Sequence, residues 1–202
     1  MHGSRMMSGK GSRARTAFAA AGALAVGVLG AGALSGCVGY RTVPEQSTGG
    51  WPNGTPNTAA VEEASTAALR WAIERVPPPD YRGSGGQFAI SPPAGLRQSR
   101  YLRMARNLGP DAFPVTEDSA HLPTYFVGAV EVRGAFATID VLCPTLDRWG
   151  DIAYKPYTLD LEGGVLPWRV RDVQAWRIGA MDPPAKYFLP ATDEPVVTQA
   201  EP

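Results

Sequence analysis

The chain has 202 residues, with 19 Lys and Arg against 19 Asp and Glu, and 44% of its residues are hydrophobic. A formally neutral chain of this size has the apolar content for one modest core, which excludes an array of domains. It also lacks the basic excess expected of a nucleic-acid binder.

The first residues are basic, with Arg5, Lys10, Arg13 and Arg15, and eighteen small or apolar residues follow from Ala17 to Leu34. Eight of those eighteen are Ala and four are Gly, so the segment gains little from lipid per residue and reads as a secretory signal more than as a span. It ends in Leu34-Ser35-Gly36-Cys37, which resembles the lipobox of bacterial lipoproteins. That resemblance implies diacylglyceryl attachment to the Cys37 sulfur, cleavage before Cys37 and acylation of the freed amine. The expected place is the extracytoplasmic face of a membrane in the cell envelope, since two or more buried acyl chains suffice for stable anchoring. Removing residues 1–36 leaves fifteen basic and nineteen acidic residues, a net charge of −4 that neither recruits nucleic acid nor favours anionic headgroups.

Residues 37–57 carry Gly39, Pro44, Gly49, Gly50, Pro52, Gly54 and Pro56 without a sustained apolar period, so they are expected to form a lipidated tether. The folded domain is expected over 58–179. Thr58 or Asn57 caps a first helix whose apolar positions Val61, Ala64, Ala68, Leu69, Ala72, Ile73 and Val76 recur at three- and four-residue spacing, and Pro77-Pro78-Pro79 stops it. Gly83-Ser84-Gly85-Gly86 lacks both the spacing and the incoming strand of a nucleophile elbow and reads as a turn. Ser91-Pro92 reads as the start of a second helix running to Leu108, with Tyr101, Met104, Ala105 and Leu108 inward. Its Arg97, Arg100, Arg103 and Arg106 drift around the axis, as on a solvated face; an anionic envelope polymer or headgroup is the sharper alternative.

From Thr124 the period becomes two. A hairpin turns at Arg133-Gly134, a third strand spans Tyr154–Glu162, and a fourth begins at Trp168, after Pro167. Val170 and Val173 stand three apart, which predicts a bulge near Arg171-Asp172. Residues 180–202 read as a Pro-rich tail that Tyr187, Phe188 and Leu189 dock back. The expected fold is α+β: two N-terminal helices packed on a curved antiparallel four-stranded meander. This order of elements resembles nuclear-transport-factor-like and cystatin-like domains over roughly 58–178. The resemblance implies a sheet that binds a small ligand or a peptide, or serves assembly.

Catalytic provision is thin. His121 and Cys143 are the sole histidine and thiol beyond Cys37, and Cys143 continues the inward Ile139 and Val141 side of its strand, as an inert buried thiol would. Glu117, Asp118 and His121 lie within five residues but lack the ligand spacing of a zinc or calcium site, so no metal or other cofactor is assigned. Asp140, Asp160 and Asp172 fall on successive strands, and Trp168 and Trp176 lie on the last. Trp168, Trp176, Asp140 and Asp160 are therefore the expected interaction surface of a noncatalytic module that binds an envelope protein or a small ligand. The enzymatic alternative is a small hydrolase or isomerase using the strand carboxylates, and the third alternative is a structural envelope component.

Overall fold

The computed structural model describes residues 39–42, 54–176 and 182–193. Cys37 and its lipobox lie outside the described residues. The order of elements is β1 (Gly39–Arg41), α1 (Ala59–Arg75), β2 (Phe88–Ser91), α2 (Gln98–Leu108), β3 (Ala112–Pro114), β4 (Thr124–Arg133), β5 (Phe136–Leu146), β6 (Ile152–Glu162) and β7 (Arg169–Ala175). The fold is α+β, with two helices on a mixed seven-stranded sheet ordered β3-β2-β4-β5-β6-β7, and β1 also paired to β4.

This is a larger sheet than a four-stranded meander, and its three additional strands have identifiable causes. Phe88-Ala89-Ile90-Ser91 is buried at every position and lies parallel to both β3 and β4. A four-residue strand covered on both faces has no alternation to betray it. Ser91 is thus the end of a strand and not a helix cap; α2 begins at Gln98, beyond a Pro-Pro-Ala-Gly linker. The expected tether also contributes structure: Gly39, Tyr40 and Arg41 pair antiparallel with Arg133, Val132 and Glu131. Tyr40, 2% exposed, anchors this strand in the core, and just beyond it the Thr42 N–H donates to Val130 O at 2.8 Å while the Thr42 hydroxyl accepts from the Val130 N–H at 2.6 Å.

Helix α1 follows the local rules. The Thr58 hydroxyl accepts from the Val61 N–H at 3.3 Å, and the Ala64, Ala68 and Ala72 stripe lets the helix approach the sheet closely. Glu62, only 5% exposed, accepts from the guanidinium groups of Arg100 and of Arg103, at 3.2 Å for the latter, and so ties α1 to α2. Two of the four helix arginines are therefore structural cations. The main core lies between the helices and the sheet, where Ile139, Val141 and Cys143 of β5 meet Tyr157, Leu159 and Leu161 of β6.

Helix α2 lacks a cap of its own, because Arg97 at its N-cap offers no side-chain acceptor. The Asp193 carboxylate instead accepts from the Ser99 N–H at 2.7 Å. The segment carrying Asp193 lies across the domain: the Leu189 N–H donates to Val115 O at 2.8 Å, and the Tyr187 N–H to the Ser91 hydroxyl at 2.9 Å. Tyr101 is the junction. Its ring stacks on Tyr187 at 5.9 Å, and its hydroxyl donates toward Ile90 O (2.5 Å) and Tyr187 O (3.0 Å) while accepting from the Val115 N–H (3.0 Å). Among the described residues no helix is long and apolar enough to cross a membrane.

Candidate functional site: the outer face of β5 to β7

The sheet face turned away from the helices carries two cross-strand rows. Thr138 stands opposite Asp160, and Asp160 opposite Asp172; in the next row Asp140 stands opposite Thr158, and Thr158 opposite Gln174. The Thr138 hydroxyl donates to Asp160 at 2.7 Å. The Thr158 hydroxyl donates to Asp140 at 2.5 Å and accepts from the Trp176 indole N–H at 2.8 Å. Gly128, beside the irregularity in β4, lies against this row, where a Cβ would meet Asp140 at an ordinary contact distance of 3.5 Å.

Asp160 and Asp172 face one another as like charges, an arrangement that opposes strand pairing unless a cation or donor stands near. Phe136, Arg171 and the two aspartates line an open depression of about 350 Å³. Arg171 is held by Glu162 at 3.3 Å, and both side chains are more than half exposed. The face thus offers carboxylate acceptors, hydroxyls and one aromatic edge. These groups recognise donors and cations, and no thiol or histidine stands among them.

Trp168 does not belong to this surface. It is 7% exposed and packs in the main core, whereas Trp176 is 45% exposed. The β7 register explains the difference: Asp172 pairs with Asp160, but Val170 pairs with Leu161, so Arg171 is an inserted residue. In a regular strand residues 168 and 176 share a face; one bulge residue between them puts them on opposite faces. Of the expected surface residues, the structure brings Asp140, Asp160 and Trp176 together and withdraws Trp168.

The remaining candidates separate. Cys143 is fully buried, and burial pushes its thiol up to about 12, which removes the thiolate at neutral pH. His121 is exposed, in a loop where the Ser119 hydroxyl donates to Pro114 O at 2.6 Å and accepts from the Thr116 N–H at 2.8 Å. Among the described residues no three His, Cys, Asp or Glu side chains are grouped to hold a metal ion. Ser84 holds a turn, accepting from the Tyr81 N–H at 3.2 Å. The expected docking of the tail is seen for Tyr187 and Leu189, which pack on the main core, whereas Phe188 is 48% exposed; the role of Asp193 carries no sequence signal, because its partner Ser99 lies more than ninety positions away. Comparisons with models of known families, with curated proteins and with solved structures give no match.

Proposed function

We propose that the protein is a cell-envelope lipoprotein, held to a membrane by lipid on Cys37, whose α+β domain is a noncatalytic module binding a partner protein through the outer face of β5 to β7. The observation that carries the anchor is the basic leader and apolar core ending in Leu34-Ser35-Gly36-Cys37. Support for the binding face comes from β7. Six of its seven residues are exposed, and within the described sheet its outer edge is unpaired, so an extended peptide has both backbone groups and the Asp160–Asp172 acceptors to meet. The carboxylate-enzyme reading is less well supported, because Asp140 and Asp160 each already hold a threonine hydroxyl in separate rows.

Mass spectrometry of the mature N-terminus tests the anchor. The expected species begins at Cys37 with a diacylglyceryl thioether and an acylated amine, and Cys37→Ser accumulates as an uncleaved precursor; a mature chain beginning elsewhere refutes it. A photo-crosslinker at Gln174 tests the face. Adducts are expected there and not at Glu63 on α1, and equal labelling at both positions refutes the assignment.

A further inference from the structure

The end of the sheet where β1 begins carries an apolar tip. Gly39 pairs with Arg133, Arg133 with Phe136, and Phe136 with Glu162, so the β4–β5 and β6–β7 turns lie side by side at this end. The Gly163 N–H donates to Ala135 O at 2.8 Å and fastens the two turns together. On them stand Phe136, 57% exposed, Val165, 103%, and Leu166, 67%. Three large apolar side chains on adjoining turns form a patch, and a soluble domain gains nothing by displaying it to water.

Arg41, Arg133, Arg169 and Arg171 stand at this end with Glu131 and Glu162, and Asp160 and Asp172 lie in the same cross-strand row as Arg41 and Glu131; Arg133 and Arg171 are paired to the two glutamates. Arg41 and Arg169 have no acidic partner within salt-bridge distance among the described residues. Two guanidinium groups free of carboxylate partners therefore flank the apolar tip, donors that suit the phosphates of a headgroup layer.

Covalent reach selects the occupant. Cys37 is two residues from Gly39, so its Cα lies no more than about 7 Å from the Gly39 Cα. With no spacer between lipid and ladder, this end of the sheet must stand at the bilayer surface. We infer that Phe136, Val165 and Leu166, flanked by Arg41 and Arg169, form a membrane-contacting edge that enters the headgroup layer and sets the domain upright, with the β5–β6 turn pointing away. This rests on the lipid-anchor reading. Strand β5 then runs away from the membrane for about 34 Å, ten steps of an antiparallel strand, toward the turn bearing Trp149.

The test uses the full acylated chain on vesicles of phosphatidylethanolamine and phosphatidylglycerol. An environment-sensitive thiol probe is placed at Ala135→Cys or, at the far turn, at Trp149→Cys; Cys143 is buried and does not compete. The Ala135 probe is expected to be quenched by lipid-borne nitroxide and shielded from iodide, and the Trp149 probe to stay fully accessible to iodide. Val165→Asp combined with Leu166→Asp should lower the nitroxide quenching at Ala135 several-fold, with an unchanged N-terminal mass and an unchanged melting curve. Equal iodide access at both probes, on a chain whose mass shows acylation, overturns the edge and leaves the anchor standing. An unacylated N-terminus overturns the anchor, and the edge with it. Quenching unmoved by the double variant, or iodide shielding that persists in detergent and rises with protein concentration, overturns the edge in favour of contact with a second copy.

Discussion

Gly163→Ala isolates the packing that takes Trp168 out of the surface. A Cβ at position 163 would lie 2.4, 2.7 and 2.8 Å from Cδ2, Cγ and Cε3 of the Trp168 ring, where carbon atoms prefer about 3.5–4.0 Å. The ring must retreat by about 1 Å into a core that is already filled, and overpacking of this kind costs about 1–3 kcal/mol. For a urea slope of about 2 kcal/mol per molar, a 2 kcal/mol loss lowers the unfolding midpoint by about 1 M. Far-UV circular dichroism in urea, with the acylated chain in mild detergent, reads it. Gly164→Ala is the control: at φ +103° its penalty of roughly 1–2 kcal/mol arises from the backbone, with Ala135 Cβ at an ordinary 3.6 Å. Trp168→Leu should relieve the first substitution by a coupling of about 1–2 kcal/mol and leave the second untouched. A Gly163→Ala loss below about 0.5 kcal/mol, or one equal in both backgrounds, refutes the packing argument.

Cys143→Ala should cost about 1 kcal/mol in thermal unfolding, and the native thiol should resist maleimide labelling until the chain unfolds. Burial raises Cys143 from 9.0 and Tyr40 from 10.0, each to about 12. The folded state thus holds these protons more tightly; their contribution is complete below pH 9 and is lost as pH rises toward 12, so the melting temperature should fall across that window. Asp193 is held below the usual carboxylate range by the Ser99 N–H, so its contribution is present above pH 3.8 and lost as pH falls below it. In Asp193→Ala the first-turn amides of α2 should exchange faster at pH 7, with the difference closing in acid.

Much of the fold follows from local pattern. The Thr58 cap, the alanine stripe, the Arg133-Gly134 turn and the Gly163-Gly164 turn are legible because each is specified within a few residues. β2 and β3 are not, because three or four buried residues have no period to read, and β1 is not, because its one apolar contact, Tyr40, sits among glycines and prolines. Capping of α2 from Asp193 is illegible for a different reason: the donor and acceptor meet only after the chain has closed. The candidate face shows both cases. Alternation places Asp140 and Asp160 outward, but whether a tryptophan shares their face depends on counting residues through an irregular strand.

That count makes Arg171 the decisive residue of β7. The three-residue spacing of Val170 and Val173 points to a bulge near Arg171-Asp172, and Arg171 is the position at which the ladder skips from Asp172 to Val170. Arg171→Ser keeps the extra residue and removes an ion pair whose partners are 62% and 52% exposed, so it should change stability by no more than about 0.5 kcal/mol. Deleting Arg171 restores strict alternation and forces a choice. If the segment from Asp172 to Trp176 keeps its register, Trp168 is turned out of the core at a cost of about 3–5 kcal/mol. If Trp168 keeps its place, Asp172 and Gln174 turn into the core and leave the face opposite Asp160 and Thr158. Either way the deletion must be far more damaging than the serine substitution, and the photo-crosslinks at Gln174 must be lost. A deletion variant as stable as Arg171→Ser, with its crosslinks intact, would show that β7 tolerates either register and that the division between a buried Trp168 and an exposed Trp176 is not fixed by the bulge.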